Sequence, residues 1–520
     1  MTILDNSAEK QAALLPNGNN SAEPAAARET QKATGRTRLG STPPAPDSLL
    51  DRFFHITQRG STLAREFRGG LVTFFTMAYI VILNPLILGG FSADNAPTDV
   101  AGGWLSAAQV GAVTGLTAGV MTILFGLIAN LPFGLAAGLG INSFLAVSVI
   151  QEVTWPEAMG LVVINGVLIV LFGMSGIRTA IFRAIPKDLK AAITVGIGLF
   201  ITFIGFVDSG FVTRTPAGPP VQLGESGSIV SIPTMIFVVG LLIMGALVAR
   251  GVQGGILIGI VASTVLAVIA EQVFKIGPGS ESNPHGWHLN MPVLQGQIVS
   301  LPDLSLAGDF DLFGSFSRIG VLAATMLVFT LVFTNFFDAM GTMTGLAKNA
   351  GLASKDGTFP RLKAAFVIEG LGAVAGGAGS SSSNTVYVDS AAGIGEGART
   401  GLASVITGLL FLGSMFFTPL TSVVPMEVAA AALVLVGTMM CSQIREINFK
   451  RFSSAMPAFL TLITMPLTYS IANGIGAGFI AWVVVNTAAG RHKKVHPLMW
   501  IVALGFLVYF ARGPLTLLLG

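Results

Sequence analysis

Charge is scarce in this chain of 520 residues: 29 Lys+Arg and 26 Asp+Glu make up 11% of it, against roughly a quarter in a soluble globular domain. A water-facing surface cannot be assembled from so few charges, which excludes a soluble multidomain enzyme. The net charge of +3 is not gathered into a basic stripe, which argues against binding nucleic acid. Cysteine is reduced to Cys441 alone; no intrachain disulfide can form, and a single thiol in an apolar run is small packing volume. Catalytic signatures are also missing. No GxSxG, HExxH or GxxxxGK[ST] occurs, and the glycine patterns GLG and GIGEG lack the strand-turn-helix context of a dinucleotide site. His285 and His288, in HGWH, have no Cys or acid at metal-ligand spacing. Neither an enzyme nor a cofactor or metal site is expected.

What the chain has instead is apolar length. Hydrophobic residues are 52%, Gly numbers 64 and the mean hydropathy is +0.75; glycine is the residue that lets helices approach closely in lipid. The pattern predicts an all-α polytopic membrane protein. Residues 1–50 differ, being rich in Asn, Ser, Ala and Pro (PNGNNSAEPAAARE, STPPAPDS) with no signal-peptide core; they read as a disordered cytoplasmic tail. The rest breaks into fourteen apolar runs near 70–90, 108–130, 134–151, 157–175, 187–206, 229–249, 254–274, 316–337, 361–378, 383–395, 401–418, 424–441, 455–470 and 473–489. Each is near the roughly 20 residues that cross a bilayer as helix. A further apolar piece, 497–512, falls in a C-terminal segment 490–520 expected to be cytoplasmic or interfacial.

Orientation follows from Lys and Arg in the links. With the amino terminus inside, the even links carry Arg178, Arg183, Lys187 and Lys190; Arg250; Lys348, Lys355, Arg361 and Lys363; Arg399; and Arg445, Lys450 and Arg451. The odd links carry only Arg214, Lys275 and Arg318. The amino terminus is therefore expected in the cytoplasm, with the protein in the plasma membrane. Arg491, Lys493 and Lys494 fall inside only if 455–489 crosses twice.

Runs three (Gly134–Leu145) and ten (Gly376–Gly397) are rich in Gly and Ser, and the second contains β-favouring TVYV. Both should be interrupted, and they are the third members of two successive sets of seven, where an inverted repeat places equivalent elements. Interrupted segments in corresponding halves point to a transporter's binding site. Ionisable side chains inside a run cost about 2.5–3.5 kcal/mol on insertion scales and are functional candidates. Asp338, at the end of run eight (FTNFFDAMGT), and Asp389, in run ten (NTVYVDSAAG), qualify; the alternative for each is a boundary residue or helix cap. Asn142 is the polar centre of run three (GLGINSF), with an inter-helix hydrogen bond as its alternative. Glu369 and Glu427 read as packing contacts, Glu396 and Arg399 as a salt bridge or helix start, and Asn84-Pro85 as a kink.

Four blocks, REFRGGLVTFFTMAYIVILNP (65–85), GLAAGLGINSF (134–144), FFDAMGTMTGLAKNAGL (336–352) and SNTVYVDSAAGIGEGARTGL (383–402), together resemble the adenine/guanine/hypoxanthine permeases of the nucleobase:cation symporter (xanthine/uracil permease) superfamily. The resemblance runs in order from about residue 60 to 490. It implies about fourteen transmembrane segments in two inverted seven-segment repeats, with short strands in segments three and ten. It also implies a core (transport) domain, residues 60–180 and 316–420, and a gate (scaffold) domain, 187–274 and 424–489. By matching position, Asn142, Asp338 and Asp389 correspond to polar residues lining the family's purine site. The chain departs from the family in having Asp389-Ser390 where Glu-Ser is usual and Ala339 where a Thr is usual, which bears on base preference.

The resulting expectation is a secondary active importer of adenine, guanine or hypoxanthine, in which Asp338 and Asp389 accept hydrogen bonds from purine N–H groups. Asn142 and the backbone amides at the broken ends of segments three and ten would meet ring nitrogens or an exocyclic oxygen. Desolvation favours the neutral form of a buried carboxylic acid, so the two aspartates are also the candidates for proton coupling in a symport with an elevator-type movement of the core. The expected partners are a purine base, protons and the lipid bilayer, with a homodimer as one candidate assembly. The alternatives are a carrier of xanthine, urate, uracil or an anion on the same fold, or a channel.

Overall fold

The computed structural model describes residues 48–511 apart from 94–95, 176–183, 216–219, 281, 294–296 and 355–357. Residues 1–47 of the expected tail, the end of the C-terminal segment from 512, and Arg178, Arg183 and Lys355 of the charge count lie outside the described residues. The Ser48 hydroxyl accepts from Asp51 N and starts a short helix, α1 (Leu49–Phe54). Thr62 does the same for α2 (Leu63–Met77), accepting from Arg65 N at 3.3 Å. After a turn at Ala78 and Tyr79 the same span continues as α3 (Ile80–Leu88). Pro85 lacks an N–H and crowds the carbonyl one turn earlier. There the helix tightens, Val81 N reaching Ala78 O and Ile82 N reaching Tyr79 O.

The chain then forms α4 (Ala107–Ile128), strand β1 (Leu135–Ala137), and α5 (Leu139–Phe144), which runs into a π-helical turn Leu145–Val149. Next come α6 (Trp155–Ser175), α7 (Lys187–Asp208), the hairpin β2 (Val212–Arg214) and β3 (Val221–Leu223), α8 (Ile232–Ala249) and α9 (Gly255–Phe274). The second half has α10 (Gly314–Ile319), α11 (Val321–Asn349), α12 (Leu362–Ala378), strand β4 (Asn384–Val386) with α13 (Ser390–Gly395), and α14 (Gly401–Ser414), which tightens into a 3-10 stretch Met415–Val423. It closes with α15 (Met426–Met440), α16 (Phe452–Thr468), α17 (Ile471–Ala488) and α18 (Pro497–Phe510).

Ten helical spans among the described residues are long and apolar enough to cross a membrane. Four more segments complete the fourteen read from the sequence. Two are the interrupted ones, and α12 and α16, at 17 residues each, are short helices. Packing follows a sevenfold exchange. Segment four lies on nine (α6 on α12) as eleven lies on two (α14 on α4); six on twelve (α8 on α15) as thirteen on five (α16 on α7); six on seven as thirteen on fourteen. Pairs such as α7 with α15 and β1 with β4 map onto themselves. That is the contact pattern of two inverted seven-segment repeats. The pairs α6–α12, α4–α14 and α2–α14 form one group, and α7–α15, α7–α16, α8–α9 and α16–α17 another; α11 touches both.

Glycine makes these crossings possible. A Cβ on Gly126 of α4 would strike Gly401 O of α14, one on Gly166 of α6 would strike the Gly370 carbonyl of α12, and one on Gly437 of α15 would strike Gly198 O and the Thr202 hydroxyl of α7. Backbone cannot give way there, so the Gly437→Val protein is expected to extract in lower yield and to melt several degrees below the wild type, overpacking of this kind costing about 1–3 kcal/mol or more. Gly245→Val, at a position with nothing within 4 Å, should melt as the wild type does. Equal melting of the two variants would remove the packing argument.

Candidate functional site

Segments three and ten meet in the interior as an antiparallel pair of three-residue strands, with Leu135 opposite Val386, Ala136 opposite Thr385 and Ala137 opposite Asn384, all buried. Irregular backbone survives in a membrane protein only where protein satisfies it, and side chains do so here. The Thr122 hydroxyl exchanges two 2.9 Å hydrogen bonds with Leu135, donating to its carbonyl and accepting from its N–H. Ser390 Oγ accepts from Gly134 N at 2.9 Å, Tyr387 N donates to Gly134 O, and the Tyr387 hydroxyl donates to Ala137 O. From the neighbouring helix α11, Asn335 Nδ2 donates to Ser383 Oγ at 2.8 Å.

Beside this pair lies a cavity of about 100 Å³. One wall is the turn from β1 into α5, Gly138 to Ile141, and another is Thr385 to Asp389. The helix α11 offers Thr334, Asp338 and Thr342, four residues apart and so on one helical face. Tyr79, at the break between α2 and α3, closes a fourth side; its hydroxyl donates to Asp389 Oδ2 at 3.3 Å, and its ring lies 6.5 Å from that of Tyr387. The remaining wall is apolar and comes from the other helix group: Ile197 of α7 with Val436 and Met440 of α15. A Cβ on Gly140 would strike Ile197, so glycine lets segment three close on α7.

Asp338 and Asp389 are thus brought to one cavity from segments eight and ten. Asp338 is not at a helix end, because run eight continues through GTMTG to Asn349 and its Thr342 faces the cavity. The Thr334 and Thr385 hydroxyls are buried without a hydrogen-bond partner; with Tyr79 and Tyr387 they are the polar groups that sequence reasoning passed over. For Thr334 the signal was there, four residues before Asp338. Asn142 lies behind the cavity wall rather than among its lining residues. Its Nδ2 donates to Asn84 Oδ1, and Asn84 Nδ2 donates to Thr114 Oγ1 at 2.7 Å and Ser381 O at 3.0 Å, while Asn142 Oδ1 is buried without a partner. Glu369 is fully buried on α12, within electrostatic range of Asp338.

The remaining singled-out charged residues have protein partners. Glu396 pairs with Arg68 at 2.6 Å and accepts from Gln253 Nε2 at 2.8 Å. Arg399 N donates to Glu66 Oε1 at 2.8 Å. Glu427, at the start of α15, accepts from His288 Nδ1 at 2.8 Å and from its backbone N at 3.1 Å. That hydrogen bond raises the pKa of His288 above the usual 6.5, burial works against it, and the charges of Glu427 and Asp208 add to the rise. Arg214, Glu225 and His285 line the same outer hollow as His288. A raised folded value means that the pair's contribution is fully present below pH 6.5 and is lost as pH climbs through the folded pKa. The melting temperature of purified protein should therefore decline across that window, and Glu427→Gln should flatten the decline; an unchanged slope would separate His288 from it.

Residues 64–477 match the Permease family (Xan_ur_permease). A guanine/hypoxanthine permease of Bacillus subtilis is 35% identical over 89% of this chain and 99% of its own length. An adenine permease of Escherichia coli is 34% identical over 90% and 97%. Among solved structures, the transmembrane domain of a cyanobacterium bicarbonate transporter, BicA, is similar in fold, with TM-score 0.54 at 16% identity over 80% of this chain and 97% of that one. A murine Solute Carrier 26 family member A9 anion transporter in the inward-facing state gives TM-score 0.54 at 10% identity over 91% and 77%.

Proposed function

Because the chain belongs to the Permease family and is a multi-pass membrane protein, we propose that it imports purine nucleobases, adenine, guanine or hypoxanthine, by proton symport. The observation that carries this reading is the cavity with Asp338 and Asp389 on it, in a chain about a third identical to permeases named for purines. A purine is a neutral planar ring with N–H donors at its edge. Two carboxylates accept from those donors, the unpartnered Thr334 and Thr385 hydroxyls complete the set, and the apolar wall of Ile197, Val436 and Met440 covers a ring face. Asn142 serves the site through segment three, holding Asn84 and thereby the turn that forms one wall.

In this reading the first helix group is the transport domain and the second the scaffold, and the cavity sits between them. With α11 and the two interrupted segments counted in the transport domain, the polar lining belongs to that domain, so a base bound there travels with it in an elevator-type movement. One of the two aspartates takes up the proton that is carried with the base. In this reading the amino terminus lies in the cytoplasm and the protein in the plasma membrane; the excess of Lys and Arg in the even links supports the orientation. An anion as cargo, which the names of the structural neighbours suggest, is opposed by two carboxylates on the cavity. The test is uptake of labelled adenine, guanine and hypoxanthine in cells lacking their own purine carriers, with and without a protonophore. Accumulation that collapses with protonophore is the expected result; no uptake of any of the three by protein shown to reach the membrane would overturn the purine reading.

A further inference from the structure

A second cavity, about 430 Å³, opens toward the end of the bundle opposite Leu63, between α3 and α5 on one side and α7 and α15 on the other. Its walls are largely apolar, with Leu86, Ile204 and Met426 among them. Two polar groups line it without a hydrogen-bond partner among the described residues. The Ser143 hydroxyl, on α5, is fully buried and makes no hydrogen bond. Asp208, the last residue of α7, is half-buried and makes no hydrogen bond among the described residues. His288 also borders this cavity; its Nδ1 is committed to Glu427, and it lies within electrostatic range of Asp208.

We propose that this cavity is an outer binding site for the same heterocyclic base, with Asp208 accepting from a ring N–H and Ser143 Oγ bonding a ring nitrogen or exocyclic group. The inference rests on the nucleobase reading of the central cavity. Its polar set repeats the central one in reduced form: one carboxylate and one unpartnered hydroxyl, where the inner site has two carboxylates and two unpartnered hydroxyls. An anion is disfavoured by Asp208. A metal ion lacks ligands, since no three His, Cys, Asp or Glu side chains converge among the described residues. A neutral ring with N–H donors satisfies the Asp208 carboxylate and the unpartnered Ser143 hydroxyl and covers the apolar walls. The walls come from α3 and α5 on one side and α7 and α15 on the other, so relative movement of these elements reshapes the site.

The experiment is equilibrium binding of labelled hypoxanthine, adenine and guanine to the purified full chain, counting sites. The wild type should bind two molecules per chain. Asp208→Asn and, as a second variant that fills the cavity without touching the carboxylate, Val207→Phe should each leave one site, the outer affinity falling about ten- to a hundredfold. Asp338→Asn should lose the inner site and keep the outer one. In uptake, Asp208→Asn should raise KM while leaving kcat near the wild-type value. One site in the wild type, abolished by Asp338→Asn and indifferent to Asp208→Asn, overturns the outer site and leaves the nucleobase reading standing. No binding of any of the three bases to folded wild type overturns both.

Discussion

Asp338→Asn should abolish concentrative uptake. Asp338 is set in the middle of the 29-residue helix α11 and shares a cavity-facing stripe with Thr334 and Thr342. Asparagine preserves the volume of the side chain and one acceptor oxygen but cannot gain or lose a proton. The bound base loses a hydrogen bond to an ionised acceptor, about 1.5–3 kcal/mol, so its affinity should drop about ten- to a hundredfold. The coupling should be lost as well. The internal concentration of labelled base should fall to that of the medium, and a protonophore should no longer alter uptake. Equal accumulation by Asp338→Asn and wild type, at equal surface expression, would remove Asp338 from both roles.

Asp389→Asn should be the second severe substitution, with a different signature. Asp389 carries a protein donor, the Tyr79 hydroxyl at 3.3 Å, which fixes one carboxylate oxygen and leaves the other for the base. Asparagine can keep the Tyr79 contact through its oxygen, but it then presents an NH₂ group to the cavity, a donor facing the base's own donors. Binding should weaken by about tenfold or more for bases that offer an N–H at that edge. Tyr79→Phe should have a smaller effect in the same direction, since it frees the carboxylate to rotate without reversing its polarity. Competition of unlabelled bases against labelled hypoxanthine reads this out: the variant should change the rank order of competitors as well as their potency. An unchanged order with a uniform loss would assign Asp389 a structural part in segment ten only.

Much of this protein was legible in one dimension. Scarce charge and runs of about 20 apolar residues determine membrane residence, because hydrocarbon tolerates nothing else. The Gly- and Ser-rich stretches 134–145 and 376–397 marked the interrupted segments, since those residues cannot sustain a helix alone. Asp338 and Asp389 stood out because an acid inside an apolar run is costly.

Tertiary structure decided what those residues meet. Leu135 pairs with Val386 across about 250 positions, and no local pattern fixes that register. Tyr79 reaches Asp389 across 310 positions, because the turn before α3 swings it toward segment ten. Ile197, Val436 and Met440 are ordinary apolar residues in the sequence and become a cavity wall only where Gly140 lets segment three close on α7. His288, set aside as a metal-ligand candidate, found Glu427 through the fold, and Asn142 found Asn84. Hydrophobicity and helix breaking act over a few neighbouring residues and can be read along the chain. Partnership depends on which helices cross, which is a property of the packed whole.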